Sequence, residues 1–236
     1  MLRSFRVSRP PNAKRSRNAE FTKAAILDAA LKEFAEQGLA GARMDEIAKA
    51  ASVNKALLYY YFESKQRLFV GVIQQAFVVI TDALRDALSR PANPKEKLLA
   101  FLDANFEVLA AHPLLARLLG HELDMLRNIS PETIQGLLEG GIFDRVVPLL
   151  SEFRAVLAEG VRSGEFRSID IDAVVPLLIM VVRTAARGMP MGAVAFPRLQ
   201  KLSPARRRAA AIDFIGSAIF VQAPTRIGKH KPGWKE

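Results

Sequence analysis

Apolar residues recur at intervals of three and four along almost the whole chain, and nowhere do they alternate over the length of a strand. That period puts an apolar stripe on each of a series of helices and leaves no face for a sheet to bury. No Asn-Gly or Asp-Gly dipeptide offers a hairpin turn either. The fold class expected is all-α. In the first pattern Leu27, Ala30, Leu31 and Phe34 share one face of a helix over 22–37, which Gly38 stops in a left-handed conformation. A short helix over 45–51 buries Ile47, Ala48 and Ala51. Asn54 caps a third over 55–61, whose Leu58 and Phe62 turn inward, and a fourth begins at Ser64 with Leu68, Phe69, Val72, Ile73 and Phe77 along its apolar side.

Later helices are longer. Pro91 and Pro94 separate a segment ending near Leu88 from one over 95–110, and His112-Pro113 breaks that before another over 114–127. Ser130-Pro131-Glu132 combines a capping hydroxyl, a proline at the first helical position and an acid in the first turn, a strong helix start. Gly140-Gly141 and Pro148 leave 131–161 either kinked or divided. Helices over 170–187 and 204–221 flank a loop at 188–202.

Charge becomes informative when it is located. Residues 1–70 carry 13 basic and 7 acidic side chains, residues 71–225 carry 17 and 16, and residues 226–236 carry 4 and 1. A positive field confined to the N-terminal region attracts polyanions, either nucleic acid or an anionic membrane face. Its first stretch, rich in Arg, Ser and Pro, imitates a targeting peptide but shows no amphipathic helix, so a flexible basic arm over 1–20 is expected. The absence of cysteine excludes thiol catalysis and thiolate metal sites and fits a reducing compartment. The longest nearly apolar run, 173–182, is too short to span a bilayer, which takes ~20 residues, and it contains Pro176. A soluble, cytoplasmic protein with no membrane partner and no cofactor is expected.

Three short helices with Ala51-Ser52-Val53 between the second and third have the spacing of a helix-turn-helix. In that motif one helix crosses the phosphate backbone and braces a second, whose N-terminal half enters a major groove ~12 Å wide. With Ile47, Ala48, Val53, Leu58 and Phe62 packing internally, Lys55, Ala56, Leu57 and Tyr59 remain on the outward face. A cation, two groups able to approach a thymine methyl and an aromatic hydroxyl suit a base-reading surface.

The runs Ile26-Leu27-Asp28-Ala29-Ala30, Met44-Asp45-Glu46-Ile47-Ala48 and Val53 through Phe62, followed by Lys65 and Leu68, resemble the DNA-binding domain of the tetracycline-repressor family over about residues 22–69. Residues 159–166, Glu-Gly-Val-Arg-Ser-Gly-Glu-Phe, resemble the end of that family's eighth helix. The resemblance implies a homodimeric transcriptional regulator, usually a repressor of a double-stranded DNA operator, whose C-terminal helical domain dimerises and often binds a small-molecule effector. By position it implies base approach by Lys55, Ala56, Leu57 and Tyr59 and phosphate contacts by Tyr60, Tyr61 and Lys65. Three residues depart from the family pattern. Arg43 stands where a capping Thr is common and offers a phosphate ligand instead, Ser52 replaces the usual turn Gly, and Leu57 replaces a frequent Thr. Each contact has a plainer alternative: Tyr61 buried against the first helix, Lys65 a solvated first-turn lysine, Arg43 an unengaged surface arginine.

The domains expected are 21–68 for DNA binding, 69–222 for effector binding and dimerisation, and a basic tail over 223–236. In the second domain Asn105 interrupts the stripe Leu98, Phe101, Leu102, Leu109, and Glu122 interrupts Leu115, Leu118, Leu119, Met125, with His121 beside it. Polar groups inside apolar stripes suit a ligand cavity, so Asn105, His121 and Glu122 are candidate contacts for a mainly apolar effector, with Phe143, Phe153 and Met180 as candidate walls or simply core. For dimerisation the sequence offers 174–182, apolar on nearly every side and so to be covered by its own domain and a second subunit, and the helix 206–221, while the resemblance places a four-helix interface around 142–162 and 170–187. A helical enzyme is the competing class. It would need a nucleophile elbow, a His-Glu-x-x-His metal motif or a Gly-rich phosphate loop, and the sequence contains none of these, so no catalytic residue is expected. A basic membrane-surface protein is the third.

Overall fold

The computed structural model describes residues 12–89, 93–119, 130–187 and 202–221. Their helices are α1 (Asn12–Gly41), α2 (Met44–Ala50), α3 (Lys55–Phe62), α4 (Lys65–Ser89), α5 (Pro94–Ala111), α6 (Pro113–Leu118), α7 (Pro131–Glu139), α8 (Ile142–Ser163), α9 (Ile171–Arg187) and α10 (Pro204–Ile219). Among the described residues there is no strand, only an isolated antiparallel bridge between Phe166 and Phe220. The chain divides into two compact units, Met1–Ala76 with Arg117–Gly141, and Phe77–Ala116 with Ile142–Glu236. The division falls within α4 rather than at 68–69, because the unbroken apolar stripe of that helix gives no change of composition to mark it.

In the first unit α1 begins at Asn12, not near residue 22, so residues 12–20 are helical rather than a flexible arm. Beyond Pro11 nothing opposes a helix: Ala, Lys and Arg favour one, and the Thr22 hydroxyl donates back to the Asn18 carbonyl at 2.8 Å. Residues 1–11 of the expected arm lie outside the described residues. Gly38 ends the long first stretch of α1 as expected, at φ 67° and ψ 176°, a region open essentially to glycine alone, and a short turn follows to Gly41. The buried face of α1 is Ile26, Ala30, Phe34 and Ala35, and the Phe34 ring meets Phe69 of α4 edge-on, centroids 5.0 Å apart.

The first unit also takes in α7. Ser130 caps it by accepting the Thr133 N–H, and the helix ends at Gly140-Gly141, with Gly141 at φ 68°. Residues 131–161 are therefore divided at the glycine pair, while Pro148 is carried inside α8. Two polar contacts pin α7 to the first turn of α4: the Ser64 hydroxyl donates to Glu132 at 2.8 Å, and Arg67 pairs with Glu139 at 2.9 Å. The Arg67 guanidinium, then the Gln135 amide, hold the Glu139 carboxyl below its usual range.

In the second unit α5, α8, α9 and α10 pack together. Asn93, Asp170 and Ser203 accept backbone N–H groups at the starts of α5, α9 and α10. Phe101 stacks on Phe153 at 4.0 Å between centroids. Arg208 pairs with Asp103 at 2.7 Å and ties α10 to α5, while Arg207 donates to the Ala185 carbonyl in the last turn of α9 at 2.9 Å. The segment after α8 reverses at Gly164, φ 77°, so that the Phe166 ring lies on Gly160. By length and composition alone α4 could cross a membrane, but half of its apolar window is buried inside the fold, as in a core helix.

A Cβ added to Gly160 would lie 2.2 Å from the Phe166 ring, so Gly160→Ala must push that ring and its bridge to Phe220 aside. Overpacking of this kind costs about 1–3 kcal/mol, and urea unfolding of the variant is expected to show it as a lowered midpoint at unchanged slope.

Candidate nucleic-acid interface

The turn between α2 and α3 is held by backbone bonds from Ser52 N–H to Lys49 O at 3.1 Å and from Val53 N–H to Ala48 O at 3.0 Å. Ser52 adopts φ 56°, so the left-handed turn is kept without glycine, at a cost of about 1–2 kcal/mol. The Asn54 side chain then accepts the Leu57 N–H at 2.7 Å and caps α3. Ile47, Ala48, Leu58 and Phe62 are buried, which fixes the rotation of α3 about its axis.

That rotation sets the outer surface. Lys55, Ala56 and Tyr59 are exposed, and Leu57 is half-buried on their flank. Tyr60 is the most open of the three tyrosines at 78% exposure and meets Tyr61 edge-on at 5.4 Å, with Tyr61 itself half-buried. Arg43 is exposed at the start of α2 and makes no side-chain cap. Its own N–H is taken by Glu33, 3.0 Å away on α1, and Asp45 and Glu46 supply negative charge to the first turn of α2. Glu33 went unmarked in the sequence because its partner is a backbone group ten positions on.

Two lysines are already engaged within the protein. The Lys55 ammonium lies 2.9 Å from one Asp45 oxygen and 3.2 Å from the other. Hydrogen bonding to Asp45, then its charge, raises the Lys55 pKa. Lys65 is not simply a solvated first-turn lysine: its Nζ donates to the Ala40 and Ala42 carbonyls, both at 3.1 Å. The ammonium satisfies carbonyls that the end of α1 leaves without helical partners.

The described candidate effector residues, Asn105, Phe143, Phe153 and Met180, take separate places. His121 and Glu122 lie outside the described residues. The Asn105 amide donates to the Phe101 carbonyl of its own helix at 2.9 Å, and half-burial with that bond satisfies it in place. Phe153 is fully buried in the stacked core, whereas Phe143 and Met180 are 48% and 65% exposed. A groove of about 630 Å³ between the later part of α4 and α5 is lined by Val79, Ala83, Leu99, Ala104 and Val108, with Asp86, Glu96, Asp103 and Glu107 among its polar lining. Of the expected residues that are described, Asn105, Phe143, Phe153 and Met180 do not border it. No group of three or more His, Asp or Glu side chains among the described residues could hold a metal ion.

Residues 26–72 match the family model of bacterial regulatory proteins of the tetR family. The HTH-type transcriptional repressor SCO4008 of Streptomyces coelicolor is 40% identical over 104 residues, 44% of this chain and 50% of that repressor, so the match spans half its length. The HTH-type transcriptional regulator RutR of Escherichia coli is 31% identical over 157 residues, 66% of this chain and 70% of that protein. Among solved structures, FadR of Bacillus subtilis in complex with stearoyl-CoA superposes with a TM-score of 0.65 at 22% identity, covering 83% of this chain and 98% of that one. KstR2, the ketosteroid transcriptional regulator of Mycobacterium tuberculosis, gives 0.61 at 22% identity, covering 92% and 100%. The two superpositions establish the fold. The curated relatives are named as regulators and repressors of transcription, and none of those cited is an enzyme.

Because Lys65 holds the end of α1, Lys65→Met is expected to lower stability by about 1–2 kcal/mol, the scale of hydrogen bonds from a charged donor. Unfolding titrations read this directly. Unchanged stability together with a flatter salt dependence of DNA binding would return Lys65 to the phosphates.

Proposed function

The chain belongs to the tetracycline-repressor family of bacterial regulatory proteins, and on that premise we propose that it is a homodimeric repressor that reads a pseudo-palindromic operator through α3 and is released by a mainly apolar small molecule. One observation carries the DNA-binding part: with Leu58 and Phe62 buried, α3 leaves Lys55, Ala56 and Tyr59 exposed, and Leu57 half-buried on their flank. Ala56 and Leu57 are suited to thymine methyl contact, and the Tyr59 hydroxyl can donate to or accept from a base edge or a phosphate. Tyr60, Tyr61 and Arg43 stand on the flanks, where phosphate contacts fix register rather than sequence.

Support for the dimer comes from faces that a monomer leaves open. On α9 Val175, Leu178 and Val182 are buried, but Leu177 and Met180 are exposed, and on α8 so are Phe143 and Val147. Neighbouring exposed apolar groups of this kind mark interaction surfaces. Phe143 and Met180 thus fit a subunit interface better than a cavity wall. The two recognition helices of a twofold dimer read inverted half-sites and fit successive major grooves when they lie ~34 Å apart. An effector that prefers another spacing weakens DNA binding by linkage, typically about 5- to 150-fold. The stearoyl-CoA bound by FadR supports an apolar effector, and a fatty acyl-CoA is the first probe to use.

Selection from a random duplex pool is expected to return an inverted repeat. Leu57→Ala and Tyr59→Phe should narrow the gap between that site and a scrambled duplex, each by ~1–3 kcal/mol for a lost base contact. Equal wild-type affinity for both duplexes would reject specific recognition. Sedimentation equilibrium of the DNA-free protein should give twice the 26.0 kDa chain mass, and a monomer at micromolar concentration would reject the constitutive dimer. An acyl-CoA that binds tightly yet leaves operator affinity unchanged would reject release by that ligand class.

A further inference from the structure

Lys55 opens α3 at the end that enters the groove, yet its ammonium is not a free charge. Asp45 accepts one of its three N–H groups at 3.2 Å, with the other carboxylate oxygen 2.9 Å from the ammonium, so N–H capacity remains. Both side chains are about half exposed, at 52% and 58%, so DNA reaches them without rearrangement of the core. We propose that Asp45 is a specificity-determining residue that acts through Lys55, neutralising it toward phosphates while holding its remaining N–H toward a base acceptor. The proposal rests on the reading of α3 as a recognition helix.

Two kinds of duplex meet Lys55 differently. On DNA without the preferred sequence Lys55 can act only through charge, and a cation already paired releases no net counterion when it meets a phosphate. Displacing Asp45 would leave a bare carboxylate among the phosphates. On the preferred site the remaining N–H can bond to a guanine O6 or N7 with no disturbance of the pair, and the tether removes rotamer freedom that a lysine would otherwise lose on binding. Asp45 thus subtracts from sequence-independent attraction without subtracting from the specific contact. The raised Lys55 pKa is consistent with this geometry, since it shows an ammonium stabilised by its carboxylate in the free protein. Asp45 also sits in the first turn of α2, where its charge favours the helix, so stability must be followed alongside binding.

The test is a double-mutant cycle on the full-length protein, titrated against the selected operator and a scrambled duplex at several salt concentrations. Asp45→Asn is expected to strengthen scrambled-duplex binding about two- to fivefold at low salt, the range of an exposed ion pair, and to steepen its salt dependence by up to about one unit of slope. Operator affinity should stay level or fall, and Asp45→Glu should recover most of the wild-type ratio. In a Lys55→Met background the gain from Asp45→Asn should vanish. If the gain persists there, Asp45 merely repels phosphate by itself, and the proposal fails. It fails equally if Asp45→Asn strengthens both duplexes alike or changes neither, provided thermal unfolding shows the variant folded. A wild-type protein for which selection yields no operator removes the recognition-helix reading and this proposal together, whereas a selected operator with an inert Asp45 removes only the proposal.

Discussion

The rotational setting of α3 is the constraint on which the reading head depends. Leu58 and Phe62, four residues apart, are buried together, and the rotation that hides both turns Ala56 and Tyr60 to the opposite side, while Lys55, on the inner side by angle, is exposed as the first residue of the helix. Hydrophobic burial therefore does more than stabilise the unit: it sets which side chains of α3 face outward. The Asn54 cap fixes where α3 begins, and the left-handed Ser52 fixes the turn before it. Ser52 shows that the turn geometry outweighs its backbone cost. A strain of about 1–2 kcal/mol is smaller than the burial of Leu58 and Phe62 together, at about 1.5–3 kcal/mol each.

Cationic side chains divide into two populations. Lys65 and Arg207 donate to carbonyls at the C-terminal ends of α1 and α9, and Arg208 pairs with Asp103. These serve the fold. Arg43 stands exposed at the start of α2, and Lys55 at the start of α3 in its pair with Asp45. A net charge of +10 is therefore a poor count of what is offered to phosphates. Where each cation is bound decides its role.

Most of the first unit was legible in the sequence because its signals are local. Asn54 as a cap, Leu58 and Phe62 as the inner face and Ser130-Pro131-Glu132 as a helix start each depend on residues within one turn of one another. The tertiary commitments were not legible. Lys65 reaches carbonyls 23 and 25 positions back, Glu139 meets Arg67 across 72 positions, and no periodicity encodes such pairs. The start of α1 was placed late because a basic, proline-led stretch reads as unstructured until the helix is seen to begin directly after Pro11. Asn105 illustrates a further limit. An amide in an apolar stripe looks like a ligand group, but a carbonyl one turn earlier satisfies it.

The central claim is that α3 reads the major groove with the face that Leu58 and Phe62 leave outward. Dimethyl sulfate tests it directly, since the reagent methylates guanine N7 in the major groove and adenine N3 in the minor groove. On a selected operator the protein should protect guanine N7 positions in two inverted half-sites about one helical turn apart, and Leu57→Ala should alter binding at those base pairs without disturbing minor-groove reactivity. Protection confined to adenine N3, or N7 reactivity unchanged at saturating protein, would contradict the account.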